Sequence, residues 1–251
     1  MIEYQSGVQL LRQNIMSKIA LCLSGQPRSV EKGYEFVKRN ILDGNDVEIF
    51  CHTWECQEAT FAALRYNTAV FMIEKPLTND LSKYTRVPPP QPNWKVKDPA
   101  RATYNQLYAI MKCNQMKTAH EKSTGEKFDW VIRSRYDFAI NVRIPFDELD
   151  NSKLYIPNCR MTPGRDFGND QFAFSSSENM DKYADTFNHI DEFYDSGSQM
   201  MCEDMMSLNW KMHGLVGENL VYCDLNHPFP PGPHNGTWHS LIREDFDNWQ
   251  K

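Results

Sequence analysis

The chain has 251 residues, of which 41% are hydrophobic, enough apolar material for the core of one large domain. Its 33 acidic residues outnumber its 27 basic ones, which gives a net charge of −6, and Lys and Arg are not clustered. This pattern excludes the basic footprint of a nucleic-acid-binding protein, so nucleic acid is not an expected partner.

Two further features bear on the compartment. Residues 1–17 contain no apolar run long enough for a signal peptide or a membrane span, so we expect neither. The cysteines are scattered singly, without a Cys-x-x-Cys pair, which is typical of buried, reduced thiols. We therefore expect a cytoplasmic protein. The seven cysteines are Cys22, Cys51, Cys56, Cys113, Cys159, Cys202 and Cys223.

The first predicted unit is a strand over residues 18–23, a turn, and a helix over residues 30–40. The turn offers a glycine for close backbone approach, an arginine near the positive end of the helix, and a serine that can cap it. These residues suit an anionic or nucleotide ligand, although a capped turn with one surface arginine is the alternative. They are Gly25, Arg28 and Ser29.

A second strand is predicted over residues 47–51, followed by a helix that ends near Leu64, and a third strand over residues 69–73. Strands separated by helices favour a mostly parallel sheet, so the predicted fold class is α/β. After the second strand, Trp54 could stack on a base or sugar and His52 could hydrogen-bond it. The alternative is that these two side chains simply pack together.

The next segments lead to the centre of the chain. Five prolines make residues 85–99 a long loop, which is either a lid over the ligand edge or an inert excursion. Apolar residues at helical spacing then predict one long helix over residues 100–121.

The stretch from Phe128 to Phe138 combines a buried strand with charge at its carboxyl end. The strand is carried by residues 130–132, and Arg133, Arg135 and Asp137 follow it. In an open α/β sheet this edge binds ligands. Arginines suit phosphate oxygens and an aspartate suits a divalent cation, so a phosphorylated ligand with its metal is predicted. An Arg–Asp ion pair that closes the strand is the alternative.

The second half is less regular. Short extended pieces are predicted over residues 143–146 and 153–157, and Asp170 and Gln171 head an apolar strand that runs to residue 174. Helices are predicted over residues 177–194, with Ser177 as the cap, and 203–213.

No hydrolase elbow, Walker loop, metalloprotease motif or dinucleotide fingerprint is present. The combination of an α/β sheet with charged groups at its ligand edge resembles the GT-A superfamily of nucleotide-sugar glycosyltransferases. It is most similar to a small group found in bacteria and in large algal viruses such as the chlorella viruses. The segments that carry the resemblance are residues 21–28, 49–54, 130–137 and 169–174.

The resemblance implies a single GT-A-like domain, related to the Rossmann fold, over residues 18–251, after an N-terminal extension over residues 1–17. Residues 18–137 would form its nucleotide-sugar-binding half and residues 138–251 its acceptor-binding half. The implied activity is metal-assisted transfer of a sugar from a nucleotide-sugar donor, such as a UDP-sugar, to a hydroxyl of an oligosaccharide or glycan acceptor. The donor-binding residues implied are Ser24, Gly25, Gln26, Arg28, His52, Trp54, Arg133, Arg135 and Gln171.

The resemblance also implies a metal site. Such enzymes hold Mn²⁺ or Mg²⁺ with an Asp-x-Asp motif, and Asp137 stands at the position of its last aspartate. Arg135 occupies the position of the first aspartate, which departs from the family pattern and suggests a direct bond from Arg135 to the diphosphate or sugar. The family's metal-binding histidine near the C-terminus would be His239, with His234 as the alternative.

Two acidic groups compete for the catalytic place. Glu203 and Asp204 match the acidic motif that supplies the base in inverting members, whereas Asp170 with Gln171 resembles a pair that touches the donor sugar in some retaining members. We favour Glu203 and Asp204, because an acidic pair at a helix start beyond the donor half can face the acceptor. Stereochemistry stays open.

Two other classes of function fit the same residues. A non-catalytic nucleotide- or sugar-binding module would need the arginines and aromatics but no base, and donor turnover distinguishes it from an enzyme. A nucleotidyltransferase would usually carry a glycine- and lysine-rich loop after its first strand. The loop over residues 24–29 has one glycine and no lysine, which argues against that class.

Overall fold

A seven-stranded sheet runs through the part of the chain that the computed structural model describes, residues 16–89, 96–157, 169–223 and 242. Its strand order is β3-β2-β1-β4-β6-β5-β7. The strands are β1 (Lys18–Gly25), β2 (Asp46–Trp54), β3 (Val70–Glu74), β4 (Trp130–Ser134), β5 (Leu154–Pro157), β6 (Phe172–Ser175) and β7 (Leu220–Cys223).

The predicted α/β class is confirmed, but the sheet is mixed. Strands β1 to β4 are parallel, as expected from strands separated by helices. Strand β6 runs antiparallel to both β4 and β5, whereas β5 pairs in parallel with β7. The prediction of a mostly parallel sheet is therefore right for the first half and incomplete for the second, because apolar alternation does not encode the direction of a strand.

Helices cover the sheet. The longest, α3, has 26 residues and packs on β1 and β2. Asp98 caps its start by accepting from the backbone N–H of Arg101, and Gly125 ends it in a left-handed conformation. No helix in the described ranges is long and apolar enough to cross a membrane. The helices are α1 (Val30–Val37), α2 (Ala59–Arg65), α3 (Pro99–Thr124), α4 (Ser177–Ala184), α5 (Ile190–Asp195) and α6 (Cys202–Met212).

Several predicted elements differ from the structure. The helix predicted over residues 177–194 is broken into α4, a 3₁₀ turn over Asp185–His189, and α5. The cap of α4 is Ser176 and not Ser177 as predicted. The hydroxyl of Ser177 instead donates to the buried carboxylate of Glu121 (2.7 Å). The predicted extended piece at residues 143–146 is not a strand.

The bounds of the other predicted strands and helices lie within three residues of the observed ones, and β1, β2 and β4 run two or three residues further than predicted. Strand β4 includes Arg133 and Ser134, so the charged residues begin inside the strand and not after it. The described cysteines are free thiols, and all but Cys56 are buried.

One close contact fixes the segment after β4 against α1. A Cβ atom added to Gly33 would overlap the backbone carbonyl oxygen of Tyr136, so only glycine allows the helix to approach there. Tyr136 is itself buried, and its hydroxyl donates to the carbonyl oxygen of His52 (3.4 Å). The position of Arg135 and Asp137 therefore depends on the packing of α1.

We predict that Gly33→Ala destabilises the protein by about 1–3 kcal/mol, the usual cost of overpacking, although alanine is the better helix former. The free energy of unfolding in urea measures this. Glu35→Ala, on the exposed face of the same helix, is the control and should change stability little. A Gly33→Ala protein as stable as the wild type would show that the contact is not restrictive.

Candidate active site

The candidate site lies where the direction of chain progression across the sheet reverses. From β1 the chain moves to β2 and β3 on one side, and then returns through α3 to β4 on the other side of β1. The carboxyl ends of β1 and β4 are in register, with Leu23 opposite Ser134. Open α/β sheets form a ligand-binding crevice at such a point. Gly25 and Arg135, which follow these paired residues, therefore lie at the edge of the sheet where such a crevice is expected.

Arg135 and Asp137 form a two-point ion pair at this edge. The guanidinium donates to both carboxylate oxygens of Asp137, at 2.7 and 2.8 Å, and the Asp137 side chain is 3% exposed. Burial alone would lower the pKa of Arg135, but the Asp137 carboxylate outweighs it and the pKa is raised. Arg135 is therefore a fixed positive charge, partly open to the crevice.

The surroundings of Asp137 do not fit a divalent cation. Both of its oxygens accept hydrogen bonds from Arg135, so an ion at Asp137 would share these oxygens with a positively charged guanidinium that repels it. Within the described ranges, three metal-ligating side chains converge within 4.8 Å in one place, and Asp137 is not among them. His239 and His234 lie outside the described residues. The Arg–Asp pair that was the alternative is thus present in the structure.

Two carboxyl groups from distant segments meet beside Arg135. Asp170 is buried, and it accepts a hydrogen bond from the side-chain amide of Gln106 on α3. Glu203, in the first turn of α6, has a pKa raised to about 8, by burial first and then by the negative charges of Asp170 and Asp204. Arg135 opposes this shift. The three predicted catalytic carboxylates are therefore close enough to interact electrostatically.

A second arginine lies beneath this cluster. Arg133 is buried, and one of its terminal nitrogens donates to the backbone carbonyl of Gln171 (2.8 Å). Its Nε has no hydrogen-bond partner among the described residues, nor have the side-chain oxygens of Ser24 and Gln171. Buried polar atoms are rarely left unpaired, so these three indicate bound water or ligand.

A small cavity between the sheet and helices α3 and α4 adjoins two of the three residues with unpaired atoms. Ser24 and Arg133 both line it, and the space open to the centre of a water molecule is about 10 Å³. That volume is near the minimum for one water molecule. The cavity is therefore a water site at most, and a nucleotide or sugar must bind outside it.

The predicted stacking residues are buried under the crevice. Trp54 is 6% exposed and stacks on Tyr108, with ring centroids 6.0 Å apart. The Nε2 atom of His52 lies 2.8 Å from the carboxylate of Glu74. Burial lowers the pKa of His52 more than Glu74 raises it, so the ring is neutral at pH 7. Stacking of a base on Trp54 stays a prediction that requires the ring to be uncovered.

The turn after β1 is partly exposed. Gln26 and Arg28 are solvent-accessible, whereas Ser29 adopts a left-handed conformation (φ 50°) and does not cap α1 as predicted. Its hydroxyl donates to the carbonyl oxygen of Ile242 (3.2 Å), whose N–H donates to the carbonyl of Asp137 (2.8 Å). Residue 242 thus bridges the two edges of the crevice, which nothing in the sequence indicated.

A groove lies beside this turn. Its volume is about 360 Å³, within the range of small-molecule sites. Among the residues that line it are Pro27, Ser29, Lys32, Glu58 and Phe61. The groove lies over the start of α1, and none of the residues that line it belongs to the cluster of Arg135, Asp170 and Glu203.

Sequence reasoning missed two positioning residues. The side-chain oxygen of Asn169 accepts from the backbone N–H groups of Gln171 (2.8 Å) and Phe172 (3.1 Å), which fixes the entry to β6. An asparagine before a strand is a turn signal that could have found it. Gln106 is one polar residue in a long helix, and no local signal distinguishes it.

The cluster has the chemistry for both anion binding and proton transfer. Arg135 offers a fixed positive charge, and the carboxyl of Glu203 exchanges a proton near neutral pH because its pKa is about 8. No protein-family model matches the chain, and no curated protein sequence matches it either.

The raised pKa of Glu203 predicts a pH-dependent stability. Between its ordinary value of 4.5 and about 8, the folded chain holds a proton that the unfolded chain has lost. Folding therefore takes up a proton at Glu203, and the free energy that this costs grows as pH rises through this window. We expect the free energy of unfolding of Glu203→Gln, minus that of the wild type, to increase from pH 5 to pH 8.

Urea unfolding at several pH values measures this difference. The matched control is Glu178→Gln, because Glu178 is exposed and its hydrogen bond with Lys182 lowers its pKa. The free energy of unfolding of Glu178→Gln, minus that of the wild type, should not change across the same pH range. A flat difference for Glu203→Gln would contradict the pKa shift.

Proposed function

We propose that the protein is a glycosyltransferase that moves a sugar from a nucleotide-sugar donor to a hydroxyl of a glycan acceptor. The observation that carries this proposal is the proximity of Glu203, with its raised pKa, to the Arg135–Asp137 pair at the crevice. Inverting transfer from a diphosphate leaving group needs a base for the proton of the acceptor hydroxyl and a positive charge for the leaving phosphate. The resemblance to GT-A enzymes supports the same reaction.

In the proposed reaction the acceptor oxygen attacks the anomeric carbon of the donor sugar. The bond from that carbon to the nucleoside diphosphate breaks, and the diphosphate leaves with the electron pair. Negative charge grows on the leaving phosphate, and a guanidinium already fixed in place stabilises it without reorganisation. Arg135 fits this role because the pair with Asp137 holds its plane. Arg28, exposed on the turn after β1, supplies a second positive charge.

Glu203 is the proposed base that takes the proton of the acceptor hydroxyl. A base with a pKa near the working pH combines a useful ionised fraction with proton affinity. Asp170 fits less well, because it already accepts a hydrogen bond from Gln106 and lies beside two arginines. Its negative charge instead raises the proton affinity of Glu203. A base of this kind implies inversion at the anomeric carbon.

The proposed reaction uses no metal at Asp137. The resemblance led to an expectation of Mn²⁺ or Mg²⁺, but the two oxygens of Asp137 are bound by Arg135. In the proposed reaction Arg135 supplies the positive charge that a metal ion would otherwise supply. The sugar, the nucleotide and the acceptor are to be identified by screening a panel of nucleotide sugars for thermal stabilisation and hydrolysis.

The proposal predicts the pH profile of transfer. We expect kcat/KM to rise with pH and level off above about 8, because Glu203 must be ionised to act as the base. In Asp170→Asn the apparent pKa should fall, because a neighbouring negative charge is removed. Asp150→Asn, at an exposed position, is the control and should leave the profile unchanged.

Glu203→Gln completes this test. It should keep donor affinity but lose turnover by roughly 10²- to 10⁴-fold, and NMR of the product should show an inverted anomeric configuration. Turnover within about threefold of the wild type, or a retained configuration, would contradict the role of Glu203. Donor binding without any turnover would indicate a non-catalytic binding module.

The proposal also predicts that Mn²⁺ or Mg²⁺ added to dialysed protein changes transfer by less than about twofold. Arg135→Gln should instead weaken donor binding roughly tenfold or more, since a hydrogen bond to a charged group is worth about 1.5–3 kcal/mol. The control is Arg143→Gln, because Arg143 lies beside Gly44, before β2 and away from the crevice. Strong stimulation by Mn²⁺ with normal binding by Arg135→Gln would contradict this arrangement.

A further inference from the structure

Three side chains converge at a second place, where the 3₁₀ turn after α4 meets the end of α6. Asp185 begins the turn, His189 ends it, and His213 follows the last residue of α6. One ligand atom from each of the three lies within 4.8 Å of the others. This cluster is absent from the proposed reaction, and no motif in the sequence indicated it.

The distances match a shared ion. The Oδ2 atom of Asp185 is 2.9 Å from Nε2 of His189 and 3.8 Å from Nε2 of His213. Ligand atoms bound to one tetrahedral ion at about 2.0–2.1 Å lie roughly 3.3 Å apart, between these two values. A small closing movement of His213 would complete the arrangement.

A further feature of the cluster is the Nε2 atom of His213. This atom is buried and has no hydrogen-bond partner in the described part of the chain. Buried nitrogens of this kind are rarely left unpaired. It faces the carboxylate of Asp185, but at 3.8 Å it is too far away for a hydrogen bond.

The outer contacts are those that orient metal ligands. Nδ1 of His189 lies 3.2 Å from the carboxylate of Glu192, and the amide of Asn188 donates to the other oxygen of Asp185 (2.6 Å). Metal-binding histidines commonly donate their second N–H to a carboxylate in this way. A neutral histidine has one N–H, yet both nitrogens of His189 face carboxylates. Either a second ring proton or a metal ion at Nε2 satisfies both carboxylates, and the unpaired Nε2 of His213 beside them favours the ion.

We propose that Asp185, His189 and His213 bind a divalent transition-metal ion of the Zn²⁺ type, with water completing its coordination. Two imidazoles and one carboxylate suit such an ion, whereas Mg²⁺ and Ca²⁺ prefer oxygen ligands alone. The ion joins the carboxyl end of α6 to the corner between α4 and α5. The ligand side chains are 25–35% exposed, so an ion can enter from solvent.

The test is a titration of the dialysed 251-residue protein with Co²⁺, followed by displacement with Zn²⁺. We expect one Co²⁺ per chain, with the visible absorption of a low-coordinate site, and complete displacement by one equivalent of Zn²⁺. His213→Ala and Asp185→Asn should weaken binding by more than the roughly 10- to 100-fold that loss of an outer contact such as Glu192→Gln costs. His120→Ala is the matched control. His120 lies on α3, and its Nε2 atom is 3.0 Å from the carboxylate of Glu48.

Circular dichroism verifies that each variant is folded, and His189→Gln replaces any variant that is not. X-ray absorption of the Zn²⁺-loaded wild type needs no variant and should show nitrogen and oxygen neighbours without sulfur. Cysteine sulfur in the shell, absence of binding by the wild type, or unchanged binding in folded His213→Ala and Asp185→Asn proteins would each overturn the proposal.

Discussion

The ion pair between Arg135 and Asp137 is the constraint on which the crevice depends. Removing one member of such a buried pair typically costs about 3–5 kcal/mol, because the other charge is left without a partner. Two backbone contacts hold the pair in position. Gly33 packs against the carbonyl oxygen of Tyr136, and the N–H of Ile242 donates to the carbonyl oxygen of Asp137. The charge offered to a ligand is therefore set by the packing of α1 as much as by β4.

Helix α6 links the two charged clusters. Its first turn carries Glu203, and His213 follows its end ten residues later, about 15 Å away at 1.5 Å per residue. Asn209, between them, donates to the backbone carbonyl of Lys182 at the end of α4 (2.8 Å). An ion bound at the His213 end would hold the helix without touching the crevice. The two proposals thus share one element but concern different chemistry.

The sequence predicted what local patterns encode and missed what distant segments create. Strands β1 to β4 and helix α3 follow from apolar runs, caps and glycines, and their bounds lie close to the predicted ones. The reversal of β6 and the strand β7 carry no such signal. Within the site, the resemblance brought Asp170 and Glu203 into consideration, but only the fold shows that their charges interact. It also shows that Arg135 donates to both carboxylate oxygens of Asp137.

The most direct measurement of the central claim is a crystal structure of the protein with an intact nucleotide sugar, or with the nucleoside diphosphate if the donor turns over. The account predicts that the diphosphate contacts Arg135 and the turn that contains Gly25 and Arg28. The anomeric carbon should face Glu203. A ligand bound elsewhere, with Arg135 and Glu203 untouched, would contradict the account.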